Sequence, residues 1–162
     1  MDGADDSSVA LTVRPAVAAD GDRMVQVAQA AYQHYVRRIG RPPAPMTADY
    51  ARIAGSGAAW VAEQHGHLVG FVVLELHADH LLLENVAVDP AQQGAGVGGR
   101  LLALAEEQAR LMGLPEVRLF TNAAMTENLE YYPRRGYRQT HRAEQDGYQR
   151  VFFSKHLNDA AE

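Results

Sequence analysis

LLLENVAVDPAQQGAGVGGRLLALAEEQARLM, residues 81–112, falls into three pieces. Leu81–Val88 is an apolar run of strand length, Pro90–Gly99 is rich in glycine, and Arg100–Met112 repeats apolar residues at helical spacing. A strand, a glycine turn and a helix in that order bring free backbone N–H groups and a helix N-terminus to one point, which is an anion site. Glycine suits such a turn because a side chain would hold the amides away from phosphate oxygens, and because the turn needs positive φ.

The glycines fit more than one phosphate loop. Gly94-x-Gly96-x-x-Gly99 satisfies the dinucleotide pattern, but that fold starts its first glycine at the strand end and places an acid about 20 residues on. Here Pro90-Ala91-Gln92-Gln93 intervene and Glu116 opens the next strand. A nucleotide-triphosphate loop needs Gly-Lys-Ser/Thr, and Gly98-Gly99-Arg100 stands in its place.

Composition narrows the classes further. The 162 residues suit one domain, with 47% hydrophobic and 22% charged residues. No apolar run reaches the roughly eighteen residues of a membrane span, and Met1–Ser8 is a polar, acidic tail, so a cytoplasmic protein is expected. A net charge of −5 gives no support to nucleic-acid binding. There is no cysteine for a thiolate nucleophile or a disulfide, and the seven histidines show no metal-ligand spacing, so no metal is expected.

Taken in order, Val9–Pro15 alternates as a first strand and Asp20–Arg38 carries a helical stripe. Three prolines in Gly40–Pro45 make a stiff loop, and Thr47 reads as the N-cap of a short helix ending near Ile53. Strands at Ala58–Gln64 and Leu68–Leu76 meet at His65-Gly66-His67, and His77–His80 turns the chain into Leu81–Val88. In the long helix Leu101, Leu104, Ala105, Leu111 and Met112 read as core, with Glu106 and Glu107 on the exposed face. A strand at Val117–Thr121, reached by a helical crossover, should run parallel to the fourth. Thr126–Arg134 reads as a helix, and Gly136–Glu144 and Gly147–Ser154 as a hairpin about Asp146-Gly147. Residues 158–162 form a tail, and no linker divides the chain between 9 and 157.

The spacing Gln93-x-x-Gly96-x-Gly98 after Val86-Ala87-Val88-Asp89-Pro90 resembles the acetyl-CoA-binding motif of the GNAT superfamily of N-acetyltransferases. Tyr132-Pro133-Arg134-Arg135-Gly136-Tyr137 is similar to that family's tyrosine, three residues, glycine, aromatic signature, and the element order matches from Val9 to Leu157. The resemblance implies an α/β (α+β) GNAT fold: one mixed, mostly antiparallel sheet of about seven strands with helices on both faces, the fourth and fifth strands parallel and splayed. It implies acetyl-CoA as co-substrate, its pyrophosphate in the loop Gln93, Gly94, Ala95, Gly96, Val97, Gly98, Gly99 and Arg100, and its pantetheine arm along Val86, Ala87 and Val88. Family members polarise the thioester carbonyl with the backbone N–H near Val86.

By the same resemblance Tyr132 is the candidate general acid for the departing thiolate. Glu84 interrupts an apolar strand at about the position of a family acid and is the candidate base for the amine, the alternative being a carboxylate on the solvent face or paired with Arg118 or Arg52. Many members carry an asparagine seven residues before the tyrosine; Met125 stands there, leaving Asn122 or Asn128 to take its place. Tyr32, Tyr35, Arg38, the proline loop and Tyr148 are expected around the acceptor, with Arg38 or Arg41 available for an acceptor carboxylate. The expected acceptor is a small-molecule primary amine. A peptide or protein amine and a non-catalytic acyl-CoA-binding module are the alternatives, and family habit adds a homodimer as an expectation.

Overall fold

The strand–glycine–helix stretch is thirty-two residues long, and its strand is the fourth of seven across the sheet. The computed structural model describes residues 11–157. The expectations for Val9, Ala10 and both tails fall outside them. The strands are β1 (Thr12–Pro15), β2 (Ala59–Gln64), β3 (His67–Leu76), β4 (Leu81–Val88), β5 (Glu116–Asn122), β6 (Arg138–Gln145) and β7 (Tyr148–His156). The helices are α1 (Gly21–Tyr32), α2 (Tyr35–Ile39), α3 (Tyr50–Ala54), α4 (Val97–Leu111) and α5 (Thr126–Arg134).

The strands form one seven-stranded sheet in the order β1-β2-β3-β4-β5-β7-β6. Every neighbouring pair is antiparallel except β4 and β5. Those two run parallel only from Leu81–Leu83 to Val117–Leu119, and the sheet opens beyond that point. On one face α4 and α5 bury Leu101, Leu102 and Tyr132 against Val117, Leu119 and Phe153. On the other, Met24, Val27 and Ala28 of α1 and Tyr50 of α3 pack on Val61, Phe71 and Val73. Leu101 is 0% exposed, and truncating such a leucine to alanine costs about 2–5 kcal/mol.

Several local readings change. The helix expected over Asp20–Arg38 divides into α1 and α2 because Val36 N donates to Gln33 O, an i−3 bond that tightens one turn. Asp49, not Thr47, caps α3, its carboxylate accepting from Arg52 N at 3.2 Å, while the Thr47 hydroxyl donates to Ala44 O. Leu111 and Met112 are 70% and 54% exposed, since the apolar stripe of α4 outruns the sheet beneath it. Glu106 is drawn inward instead: Lys155 Nζ and the Tyr137 hydroxyl donate to it, both at 3.1 Å. Among the described residues no helix is long and apolar enough to cross a membrane.

Candidate active site

The register of β3 and β4 slips between Val73 and Leu74, so that Val73 faces Asn85, Leu74 faces Leu83, and Glu84 is the extra residue of a bulge. On the far side of the bulge, Asp89 N donates to Val69 O at 2.9 Å. Bonded residues alternate along an antiparallel ladder with residues whose main-chain groups point away from the partner strand. Counting back from Asp89, Ala87 and Asn85 face β3. The N–H and C=O of Val86 and Val88 therefore face the gap where β4 and β5 part. The Val86 carbonyl confirms that direction by accepting from the Tyr32 hydroxyl at 2.6 Å.

Two cavities meet at this gap. The larger, about 740 Å³, runs past Val86, Ala87 and Val88 to Gln93, Gly94, Gly96, Val97, Gly98 and Gly99, and is closed on its other wall by Tyr35, Glu127 and the end of α5. Gly96 caps α4 with φ +86° and Gly94 has φ +90°, backbone conformations that a side chain would strain. A Cβ on Gly99 would stand 2.7 Å from Arg135 Nη1, so the guanidinium lies across the first turn of α4. Arg135 also stacks 5.1 Å from the Tyr131 ring centroid and has no carboxylate partner among the described residues. The loop is held from behind by Asp89, which binds Arg23 of α1 at 3.0 Å and accepts from Ala91 N.

The smaller cavity, about 330 Å³, lies on the bulge side of the gap. Its walls include Pro43 and Pro45 of the proline loop, Glu84 and Asn85 of β4, Phe120, Thr121 and Asn122 of β5, and Tyr148 and Arg150 of β7. A clasp ties two of its walls together: the Tyr148 hydroxyl donates to Pro42 O at 2.7 Å, and Arg41 donates to Asp146 O at 2.7 Å while its guanidinium stacks on the Tyr148 ring. Tyr32, Val86, Asn128 and Tyr132 line both cavities.

Glu84 is exposed on the bulge, as the solvent-face alternative expected, yet partial desolvation raises its pKa, with Glu75 adding to the rise and Arg52 opposing it. The carboxylate makes no hydrogen bond or ion pair among the described residues; Arg118 is taken by Glu116 at 2.9 Å. Burial pushes Tyr132 well above the usual phenol range, reinforced by Tyr131 and Tyr35. Tyr35, pushed up to about 12 by burial and then by Glu127, stands in the larger cavity and not around the smaller one. Arg38 lines neither, being occupied by Glu127 at 2.8 Å and Ala124 O at 3.0 Å. Arg100 is exposed, and neither it nor Ala95 lines the larger cavity. Asn122 spends its Oδ1 on Ala124 N at 2.9 Å, whereas Asn128 donates to the Thr121 hydroxyl at 3.0 Å and faces the junction, with the Met125 sulfur beside both.

Sequence reasoning passed over Asn85, Tyr50, Arg135 and Arg150. Asn85 Nδ2 donates to the Tyr50 hydroxyl at 2.6 Å, and that hydroxyl donates to Pro45 O at 2.5 Å, tying the proline loop to the bulge. A polar amide beside Glu84 in an apolar strand was the available signal for Asn85. Arg135 and Arg150 had none, since their positions depend on how α5 and β7 return to the gap.

A sequence profile described as the acetyltransferase (GNAT) family matches residues 23–137. The chain belongs to the GNAT acetyltransferase family. A curated relative, the aminoalkylphosphonate N-acetyltransferase of Salmonella typhimurium, is 33% identical over 87 residues, half of this chain and 56% of that protein. The match thus spans little more than half the length of that GNAT relative. The crystal structure of nourseothricin acetyltransferase aligns with a TM-score of 0.56 at 29% identity, over 60% of this chain and 64% of that one. The PaiA N-acetyltransferase from Thermoplasma acidophilum, solved with coenzyme A, aligns with a TM-score of 0.72 over 91% of this chain and 99% of that one, at 18% identity, and shares the GNAT fold.

Proposed function

We propose that this chain transfers the acetyl group of acetyl-CoA to the primary amine of a small molecule, by direct attack within a ternary complex. The observation that carries the reading is the meeting of the two cavities at Tyr32, Val86, Asn128 and Tyr132. A coenzyme with its phosphates at Gly94–Gly99 and its arm along β4 delivers a thioester to that junction, and an amine in the smaller cavity meets it there.

The steps follow from the groups present. The amine gives a proton to Glu84, directly or through water, and a carboxylate whose pKa partial desolvation has raised is the better matched to that task near neutrality. The nitrogen lone pair attacks the carbonyl carbon, and the Val86 N–H donates to the oxyanion, an interaction worth about 3–4 kcal/mol in comparable sites. As the C–S bond breaks, Tyr132, kept protonated by burial, gives its proton to the thiolate, and the tyrosinate takes up the second proton that the acylated nitrogen sheds. Cavity volume supports the small acceptor: about 330 Å³, walled on one side by the proline loop, accommodates a small molecule better than an extended peptide.

The test is thiol release from acetyl-CoA against polyamines, amino acids, aminoglycosides and short peptides, with direct measurement of coenzyme A binding. Turnover of small amines is expected. Turnover confined to peptides would overturn the choice of acceptor, and coenzyme binding with no turnover of any amine would favour a non-catalytic module.

A further inference from the structure

Among the described residues the acceptor cavity has one cation in its wall, Arg150, and the geometry points to it as the anchor for an anionic group carried by the acceptor. We propose that the substrates are amines bearing an oxyanion, a carboxylate or a phosphonate, with the amine toward Glu84 and the oxyanion on Arg150. This rests on the transferase reading above and names its substrate class.

The other arginines near this cavity are already committed. Arg38 holds Glu127, Arg41 is locked into the clasp, and Arg52 pairs with Asp49 at 4.0 Å. Arg150 has no carboxylate within ion-pair distance among the described residues. One of its five N–H groups is used, Nη1 donating to Gln145 Oε1 at 2.8 Å. Its guanidinium stacks 4.3 Å from the Phe120 centroid and 5.7 Å from that of Tyr148, which fixes the plane of the fork without neutralising it. Directly across the ladder stands Asn122, at the end of β5 where the gap opens.

A cation seated on aromatic rings, with four N–H groups unspent beside an apolar proline wall, is arranged for bidentate recognition of a planar or tetrahedral oxyanion. Asp146 also lines the cavity, yet it forms no ion pair with Arg150, and its main-chain carbonyl is held by Arg41. Glu84 and Arg150 therefore stand in one wall as an unpaired carboxylate and an unpaired guanidinium, with Asp146 a second carboxylate beside them. That is the charge pattern of a zwitterion read in reverse.

Matched pairs of amines test this: 4-aminobutyrate against butylamine, and 2-aminoethylphosphonate against ethylamine. Each is titrated calorimetrically into the coenzyme-A-saturated protein, and each is assayed for acetylation. Wild type is expected to bind the anionic member at least tenfold more tightly, Arg150→Gln to erase that preference, and Arg150→Lys to restore part of it. Thermal unfolding of both variants checks that the fold is kept. Binding that follows this pattern without thiol release would sustain the anchor while the transferase reading failed. Neutral amines bound as tightly as anionic ones, a preference that survives Arg150→Gln, or binding of neither member would overturn it.

Discussion

The two cavities that meet at Tyr132 are built by opposite means. The larger is lined on one side by a single stretch, Val86 to Gly99, where glycines and a helix start leave main-chain amides free, and on the other by α1, α2 and α5. The smaller takes side chains from the proline loop, β4, β5 and β7, segments more than 100 residues apart in sequence at the extremes. Backbone amides serve the same ligand whatever neighbouring side chains become. A wall of side chains can be rebuilt one residue at a time. On the proposed reading, the division suits a protein that keeps its co-substrate while its acceptor changes.

The largest effects should fall where the cavities join. Tyr132→Phe is expected to lower kcat on the order of 10²–10³-fold while leaving coenzyme A affinity within about threefold, because the phenol acts on the leaving group. Steady-state kinetics beside calorimetric binding would check it, and an equal loss in both would instead mark Tyr132 as part of the groove wall. Glu84→Gln is expected to lower kcat/KM on the order of 10²-fold at pH 7. With the base gone, only amine already neutral in solution can react, so the deficit should shrink as pH climbs toward the acceptor's own pKa. A deficit constant with pH would show that Glu84 shapes the cavity and nothing more.

On the main-chain side, effects should be smaller and confined to the coenzyme. Arg135→Ala is expected to raise KM for acetyl-CoA about tenfold with little change in kcat, as for a lost phosphate contact. Gly99→Ala should move the same parameter in the same direction, since its methyl would displace the Arg135 guanidinium from 2.7 Å away. On the side of the smaller cavity, Asn85→Ala, which releases the Tyr50 hydroxyl from the bulge while leaving its bond to Pro45 O, should cost about 1–2 kcal/mol in chemical denaturation and raise acceptor KM more than coenzyme KM.

Away from both cavities, Asp20 accepts from Arg14 at 2.9 and 3.0 Å, and this contact holds its carboxyl below the usual range. A lowered folded-state pKa stabilises above the unfolded value and the contribution is lost as pH falls through the folded one. Asp20→Asn should therefore cost about 1–2 kcal/mol at pH 7 and progressively less below pH ~4, read as the difference between wild-type and variant denaturation curves.

The same division decides what was legible beforehand. The strand–glycine–helix stretch is contiguous, so its chemistry can be read without knowing how the chain folds, and the parallel neighbour β5 follows from the crossover rule. Glu84 stood out as a charge in an apolar run, but its place as the extra residue of a bulge is a matter of pairing with β3. Arg38 and Arg150 are indistinguishable in sequence. One is occupied by Glu127 and the other faces the cavity because Phe120 and Asn122 come to lie beside it, which depends on β7 inserting between β5 and β6. Leu111 and Met112 fooled the periodicity for a related reason: helical spacing reports a face, and not where the sheet beneath it ends.

The clasp over the smaller cavity bonds only to main-chain carbonyls, those of Pro42 and Asp146. Its two donors, Tyr148 and Arg41, therefore make no demand on which side chains the facing segments carry. Random variation at positions 43–46 can enlarge, shrink or recharge the lid while the latch that holds it stays intact. For anyone redirecting such an enzyme to a new amine, that loop is the place to build a library, and Arg41 and Tyr148 are the two positions to hold constant.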